Sequence, residues 1–132
     1  MKISVDTNIL VRILTVDDET QALAARRLLA EADLIAVSLA SLCEMVWVLK
    51  GAYGYDRMQL LEALEALLEM DRLEIDQAAV EAGLEMLRVG ADFADGVIAL
   101  EGTRLGGETF VSFDAKAVKS LTKQGKPARL LS

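Results

Sequence analysis

Four acidic residues, far apart in the chain, are the ones whose side chains could do chemistry. The sequence contains no histidine, which excludes Ser-His-Asp triads, Cys-His nucleophilic sites and zinc sites with histidine ligands. Acidic side chains outnumber basic ones, 21 against 14, and carboxylate oxygens are the ligands that hard divalent cations prefer. Like charges repel one another, so a cluster of acids persists best with a cation bound. Asp6, Glu44, Asp95 and Asp114, which lie near the predicted ends of strands or starts of helices, are therefore the candidates for such a metal site.

Two of these acids each follow an apolar segment that is typical of a strand. Asp6 comes directly after Ile-Ser-Val, and Asp114 comes directly after Phe-Val-Ser-Phe. In open parallel sheets, ligands bind beyond the carboxyl ends of the strands, which favours a functional site. Each aspartate could instead be the N-cap of the helix that follows it. Considered singly, both residues leave the two interpretations open.

Glu44 lies within a helical segment that is apolar nearly all round, and burying an unpaired carboxylate there would be costly. One alternative is a capping box formed by Ser41 and Glu44. Ser38 is an equally good cap, however, and would place Glu44 in the second turn. We therefore favour a functional Glu44, and we expect Cys43 and Trp47 to be core residues of the same buried helix.

Asp92 and Asp95 open a later helix at a spacing that stacks their carboxylates on one face. The alternative is that both merely complement the helix dipole, with Asp92 as the N-cap. Gly96 follows directly, where alanine would favour a helix by about 1 kcal/mol. A glycine at this position can serve close packing.

Several polar residues near these acids have two interpretations each. Thr7, Asn8 and Ser112 either orient a water at the site or finish turns. After Asp114 the chain carries no further acid, only basic side chains: Lys116, Lys119, Lys123, Lys126 and Arg129. This basic strip is either a phosphate contact, chiefly through Lys116, Lys119 and Lys123, or a solvated helix face and tail.

The elements that must position these residues alternate along the chain. The pattern predicts strands at residues 2–5, 34–37, 73–75, 109–112 and 128–131. It predicts helices at residues 8–14, 20–32, 39–53, 56–70, 77–89, 93–105 and 115–121. Strands separated by helices imply right-handed crossovers and a parallel sheet covered on both faces. Because no linker or repeat interrupts the pattern, we expect a single domain over residues 1–132.

Composition also limits the compartment. The single cysteine, Cys43, cannot form a disulfide within the chain, which fits a reducing cytoplasm. No apolar run reaches the roughly 18 residues that a membrane span needs. The net charge of −7 argues against a nonspecific polyanion binder. It allows a nucleic-acid enzyme, since bound cations and a local basic patch reverse the field locally. We expect a cytoplasmic protein with no membrane partner.

In order and spacing, these motifs resemble the PIN-domain nucleases, and most closely the VapC-type toxins of toxin–antitoxin pairs. The resemblance rests on Val-Asp-Thr-Asn at residues 5–8, on Ser38 with Glu44, on residues 91–99, and on Val-Ser-Phe-Asp at residues 111–114. It covers essentially the whole chain. Ser112 stands where threonine is common in that family and Gly96 where alanine is usual, but neither departure removes a carboxylate.

The resemblance implies a three-layer α/β/α sandwich around a central parallel sheet of four to five short strands. It implies an acidic site that binds Mg²⁺ or Mn²⁺ through Asp6, Glu44, Asp95 and Asp114, with Asp92 as an accessory ligand. The activity it implies is endonucleolytic hydrolysis of RNA by a metal-activated water that Asp95 or Glu44 orients or deprotonates. The partners it implies are an RNA substrate, a cognate antitoxin and a second copy of the chain.

Two other functions are compatible with the sequence. One is a catalytically inactive PIN-like binding module, against which the presence of all four acids argues. The other is a metal-dependent phosphatase of another α/β family, although the haloacid-dehalogenase pattern needs an aspartate where Asn8 stands. The leucine-rich helix predicted at residues 56–70 carries more apolar surface than a thin exposed helix needs, which weakly supports a homodimer.

Overall fold

The computed structural model describes residues 1–15 and 17–132, and the backbone divides into two compact units, Met1–Asp76 and Gln77–Ser132. The first unit contains β1 (Lys2–Val5), α1 (Thr7–Leu14), α2 (Glu19–Glu31), β2 (Leu34–Val37), α3 (Leu39–Gly51), α4 (Arg57–Leu68) and β3 (Leu73–Glu74). The second contains α5 (Gln77–Arg88), α6 (Phe93–Arg104), β4 (Phe110–Ser112), α7 (Ala115–Lys123) and β5 (Ala128–Leu130).

In the first unit, β1, β2 and β3 form a parallel sheet in that order. The register pairs Val5 with Val37, so β1 and β2 end side by side and the residues that follow them start at the same edge. α1 packs against α2 and α3, and α3 contacts α4. Large aliphatic side chains form the core of this unit: Leu10, Ile35, Leu42, Met45, Leu49, Leu64 and Leu67.

Four helices of this unit begin at a polar side chain that accepts a hydrogen bond from the backbone N–H three residues later. These N-caps are Asp6, Asp18, Ser38 and Asp56. Such a cap satisfies one of the N–H groups that the first helical turn leaves without a partner. The local chemistry of these residues therefore fixes where the helices start.

The leucines of α4 are part of the core of the first unit. Leu60, Leu64 and Leu67 are at most 3% exposed, and Leu61 and Leu68 are half-buried. The expectation that this helix carries more apolar surface than the fold needs was wrong, because its leucines pack inward. α4 therefore gives no support to a homodimer.

In the second unit, α5 and α6 pack closely, and α7 contacts α5 and both strands. The contact between α5 and α6 depends on glycines. A Cβ at Gly83 would lie 2.6 Å from the Phe93 ring, and a Cβ at Gly96 would lie 2.2 Å from the Ala82 carbonyl oxygen. The close packing suggested for Gly96 is therefore present.

The strands β4 and β5 form a parallel pair with Phe110 beside Ala128. Both side chains pack against a buried cluster of Met86, Ala91, Ala117 and Leu121. One face of the pair is thus covered within the second unit.

The predicted mixed α/β class with parallel strands is confirmed, and most predicted elements agree with the structure to within two residues. The five strands are divided between a three-stranded and a two-stranded sheet, whereas one sheet was expected. The single domain over residues 1–132 stays a prediction. Within the described residues, no helix combines the length and the apolar character needed to cross a membrane.

Candidate functional site

Asp6 stands at the carboxyl end of β1 and is exposed to solvent. Its Oδ1 accepts a hydrogen bond of 3.1 Å from the backbone N–H of Ile9. The strand thus delivers this carboxylate to the sheet edge, and the helix that follows holds it there.

The two residues after Asp6 have different environments. Thr7 is buried, and its Oγ1 donates to the carbonyl oxygen of Ser41 over 3.4 Å, which ties α1 to α3. Asn8 is exposed and lines a cavity of about 840 Å³ that Asp6 also lines. Asn8 is therefore accessible to a ligand, whereas the Thr7 hydroxyl is engaged in packing.

The side chain of Arg12, a positively charged residue that the sequence motifs did not indicate, also lines this cavity. Arg12 Nε donates to Gln21 Oε1 over 2.6 Å, and its Nη1 donates to the Tyr53 hydroxyl over 3.3 Å. Nη1 also lies 3.5 Å from Asp17 Oδ1. The Tyr53 hydroxyl donates to Asp17 and is the main cause that lowers the pKa of that carboxyl. The available signal was spacing, because Arg12 lies one helical turn after Asn8.

Glu44 lies in the second turn of α3, because Ser38 is the N-cap of that helix. The capping-box alternative is therefore excluded. Glu44 is exposed, so the expected burial of its carboxylate was wrong. Trp47 is 75% exposed and Cys43 is half-buried, so the prediction of Trp47 as a core residue was also wrong. The apolar segment has an exposed side after all, and it carries Glu44 and Trp47.

Three of the acids lie at helix starts in the second unit. Asp92 is the N-cap of α6, and its Oδ1 accepts from the N–H of Ala94 over 3.4 Å. Asp95 follows in the first turn and is half-buried. Asp114 is the N-cap of α7, and its Oδ1 accepts from the N–H groups of Lys116 and Ala117 over 3.0 and 3.2 Å.

The electrostatics of Asp95 show that these acids are close enough to interact. Partial burial is the main cause that raises the pKa of Asp95, and the charges of Asp92 and Asp114 raise it further. Ser112 Oγ accepts a hydrogen bond of 2.9 Å from the N–H of Asp114, so its hydroxyl helps to form the turn before the cap.

The caps leave part of each carboxylate available. In Asp6, Asp92 and Asp114, the hydrogen bonds from the helix N–H groups all reach Oδ1. Capping a helix and binding a cation are therefore compatible roles for the same residue. The oxygen donors and the crowding around Asp95 fit a hard divalent cation. Within residues 1–15 and 17–132, no group of three or more Cys, Asp or Glu side chains is already gathered tightly enough to hold a metal ion.

The lysines after Asp114 are mostly accessible. Lys116, Lys119 and Lys123 are exposed along α7, and their spacing of three and four residues places them on one face of the helix. Lys126 differs, because its Nζ lies 3.6 Å from a carboxylate oxygen of Glu85.

Comparison with known proteins agrees with this arrangement. Residues 3–120 match the family model of the PIN domain. A search of curated proteins found no match to the chain. PIN domains are generally nucleases and typically use divalent metal ions, and the mixed α/β structure is consistent with the α/β/α fold of that family. Candidate acids lie at the end of a strand and at the starts of helices, as the motifs predicted. Because the family model matches most of its length, the chain belongs to the PIN domain family.

Proposed function

We propose that this PIN domain is an endoribonuclease that depends on Mg²⁺ or Mn²⁺ and acts as the VapC-type toxin of a toxin–antitoxin pair. The observation that carries the proposal is the environment of Asp95, whose pKa is raised chiefly by partial burial and further by the charges of Asp92 and Asp114. A protein has little reason to crowd like charges at a half-buried position unless a cation neutralises them.

The residues that would hold the cation are Asp6, Glu44, Asp95 and Asp114, with Asp92 as an accessory ligand. All except Asp95 are exposed, so their side chains can rotate toward an ion without disturbing the core. When bound, a divalent cation polarises the phosphate and makes water a better nucleophile. Within its own unit, each cap fixes the backbone of its residue, Asp6 at the start of α1 and Asp114 at the start of α7.

Exposed lysines that directly follow Asp114 support a nucleic-acid substrate, and the resemblance to VapC-type toxins implies that it is RNA. Phosphate contacts by lysine side chains supply affinity without sequence selection. The lone Cys43 fits the reducing cytoplasm where such RNA is found. A ribonuclease that acts on the RNA of its own cell needs an inhibitor, which we propose is an antitoxin that inserts an arginine among the carboxylates.

We also propose a homodimer. The chain exposes large apolar side chains on its first unit, among them Trp47 at 75% and Leu23 at 50%. A molecular mass by light scattering at micromolar concentration should equal that of two copies. A monomeric mass would contradict this part of the proposal.

The deciding experiment is a cleavage assay with the purified chain on matched single-stranded RNA and DNA. We expect new RNA ends with Mg²⁺ or Mn²⁺, none in excess chelator, and recovery when the metal is restored. Undiminished cleavage in chelator would refute the metal site. Preferential cleavage of DNA would refute the assignment to RNA.

The competing function is a catalytically inactive PIN-like binding module. It is favoured by the finding that, in the described part of the chain, no three Cys, Asp or Glu side chains are already placed around a common point. The phosphatase of another α/β family is set aside, because the chain matches the PIN domain. RNA binding without cleavage under any divalent metal would establish the inactive module.

A further inference from the structure

The side of the β4–β5 pair that faces away from the buried cluster is exposed and unusually apolar. Exposure alternates along β4 and just beyond it: Phe110 and Ser112 are half-buried, whereas Val111 is 52% and Phe113 is 76% exposed. Arg129 pairs with Val111 in the register and is exposed. We call this surface, made of Val111, Phe113 and Arg129, the outer face.

Phe113 is the most conspicuous side chain of the outer face. Because the Phe113 ring is largely exposed, it contributes little hydrophobic stabilisation to the fold. It directly precedes Asp114, a member of the proposed catalytic cluster, and a rigid backbone positions it. Asp114 is fixed on one side by its hydrogen bond to Ser112 Oγ and on the other by the N–H groups of α7. The backbone of Phe113 is therefore held at a defined position directly before Asp114.

The charges around Phe113 indicate what could cover it. From residue 115 to the end, every charged side chain is basic, although the whole chain has a net charge of −7. Lys116, Lys119 and Lys123 form an exposed row on α7 that starts two residues after Asp114. The N–H groups of Lys116 and Ala117 are already occupied by Asp114, so an anion here would be bound by the lysine side chains.

An exposed aromatic ring beside a row of cations suits single-stranded RNA. Unpaired bases stack on aromatic side chains while basic side chains follow the phosphates. A protein partner is less well matched, because lysine is depleted in protein–protein interfaces. A paired base is also excluded as a ligand, because its faces are already stacked within the duplex.

We propose that Phe113 is the stacking platform for an unpaired base of the substrate, with the adjoining backbone along Lys116, Lys119 and Lys123. One stacked base would then position the strand beside Asp114. This inference rests on the proposed ribonuclease function and adds to it the means by which the strand is placed.

The test measures binding, separately from cleavage, in the full chain with chelator present. The probes are a short oligouridylate and a ribose-phosphate backbone of the same length without bases. The variants are Phe113→Ala and Phe113→Trp, with Leu105→Ala as the matched control, because Leu105 is 90% exposed in the same unit but lies outside the outer face. Calorimetry gives the affinities, and circular dichroism checks folding.

We expect Phe113→Ala to weaken oligouridylate binding about ten- to a hundredfold, the range for loss of one stacked base. Phe113→Trp should bind within a few-fold of the unchanged chain, and Leu105→Ala should have no effect. The backbone without bases should bind the unchanged chain and Phe113→Ala equally, since only stacking is removed.

Several results would overturn the inference. One is equal oligouridylate binding by Phe113→Ala and Leu105→Ala, and another is an equal loss of affinity for both probes in Phe113→Ala. The others are the absence of oligouridylate binding by the unchanged chain and an effect of Phe113→Ala on self-association alone. The proposed function is judged separately by the metal-dependent cleavage assay. Stacking without cleavage under any divalent metal would refute the nuclease and leave Phe113 as the base platform of an inactive RNA-binding module. Metal-dependent cleavage together with RNA binding that does not depend on Phe113 would refute the stacking platform alone.

Discussion

Gly96 lies against the backbone of Ala82, so that a Cβ at Gly96 would come within 2.2 Å of the Ala82 carbonyl oxygen. The atom that would be met is backbone, which cannot rotate away as a flexible side chain can. Because Asp95 is the adjacent residue, this contact between α5 and α6 also fixes the backbone that carries its carboxylate.

The first prediction concerns this contact. Gly96→Ala should lower the free energy of unfolding by about 1–3 kcal/mol through overpacking, although alanine is the better helix former. Gly102→Ala is the matched control, because it lies in the same helix with nothing within 4 Å of its added Cβ. It should raise the free energy of unfolding by about 0.5–1 kcal/mol. Urea unfolding measures both, and equal effects would contradict the close approach.

The second prediction separates capping from metal binding at Asp114. Asp114→Asn should leave stability nearly unchanged, because asparagine and aspartate are comparable N-caps, whereas Asp114→Ala should cost about 0.5–2 kcal/mol. Both should reduce RNA cleavage by orders of magnitude, since neither presents a carboxylate. The same loss of cleavage is expected for Asp6→Asn, Asp95→Asn and Glu44→Gln.

Asp56 provides the control for this series, because its side chain caps α4 by accepting from the N–H of Gln59 over 2.9 Å. Asp56→Asn should therefore retain both stability and cleavage. If Asp114→Asn cleaves RNA as well as Asp56→Asn does, Asp114 is a cap and not a ligand.

The third prediction is a pH dependence at Asp95. The folded protein raises the pKa of this carboxyl, chiefly through burial, so the ionised form costs folding free energy. The cost is fully present above the raised pKa and is absent below the ordinary pKa of aspartate. In chelator, Asp95→Asn should therefore melt at a higher temperature than the unchanged chain at neutral pH. The difference should vanish near about pH 3.

Divalent metal should reverse the order of the two melting temperatures. Mg²⁺ or Mn²⁺ should raise the melting temperature of the unchanged chain, because a ligand that binds only the folded state stabilises it. Asp95→Asn should respond weakly. An identical response of both proteins to metal would argue against Asp95 as a ligand.

Local signals in the sequence predicted the elements well, because polar caps mark their starts. Asp6, Ser38, Asp56 and Asp114 each cap the helix that was predicted to begin beside them. The sequence was a poorer guide to burial. Trp47 and Glu44 share an exposed side of α3, and Leu64 of α4 is fully buried. Which side of an apolar helix meets the core depends on neighbours that are distant in the chain, and no local pattern contains that information.

The same reasoning applies to the candidate site. The motifs identified the acids, whereas the orientation of Arg12 depends on Tyr53, which lies 41 residues away. Polar networks of this kind join residues whose spacing follows no helix or strand period. They become apparent only when the elements are packed.

The fourth prediction concerns the lysines of α7. Lys119→Gln should reduce the slope of log affinity for single-stranded RNA against log salt by about 0.7, the value for one phosphate contact. Lys126→Gln is the control, because Lys126 is half-buried and already lies 3.6 Å from Glu85. A slope that changes as much for Lys126→Gln as for Lys119→Gln would exclude a specific path along α7.

The exposure of Trp47 has a practical consequence for spectroscopy. It is the only tryptophan in the chain, and its indole is already largely hydrated in the folded protein. Its fluorescence emission should therefore shift little when the chain unfolds, which makes it a poor reporter of stability. A protein that covers α3, whether a second copy or an antitoxin, would remove water from the indole and shift the emission to shorter wavelength. The chain thus contains a single tryptophan, whose fluorescence responds to association at the helix that carries Glu44.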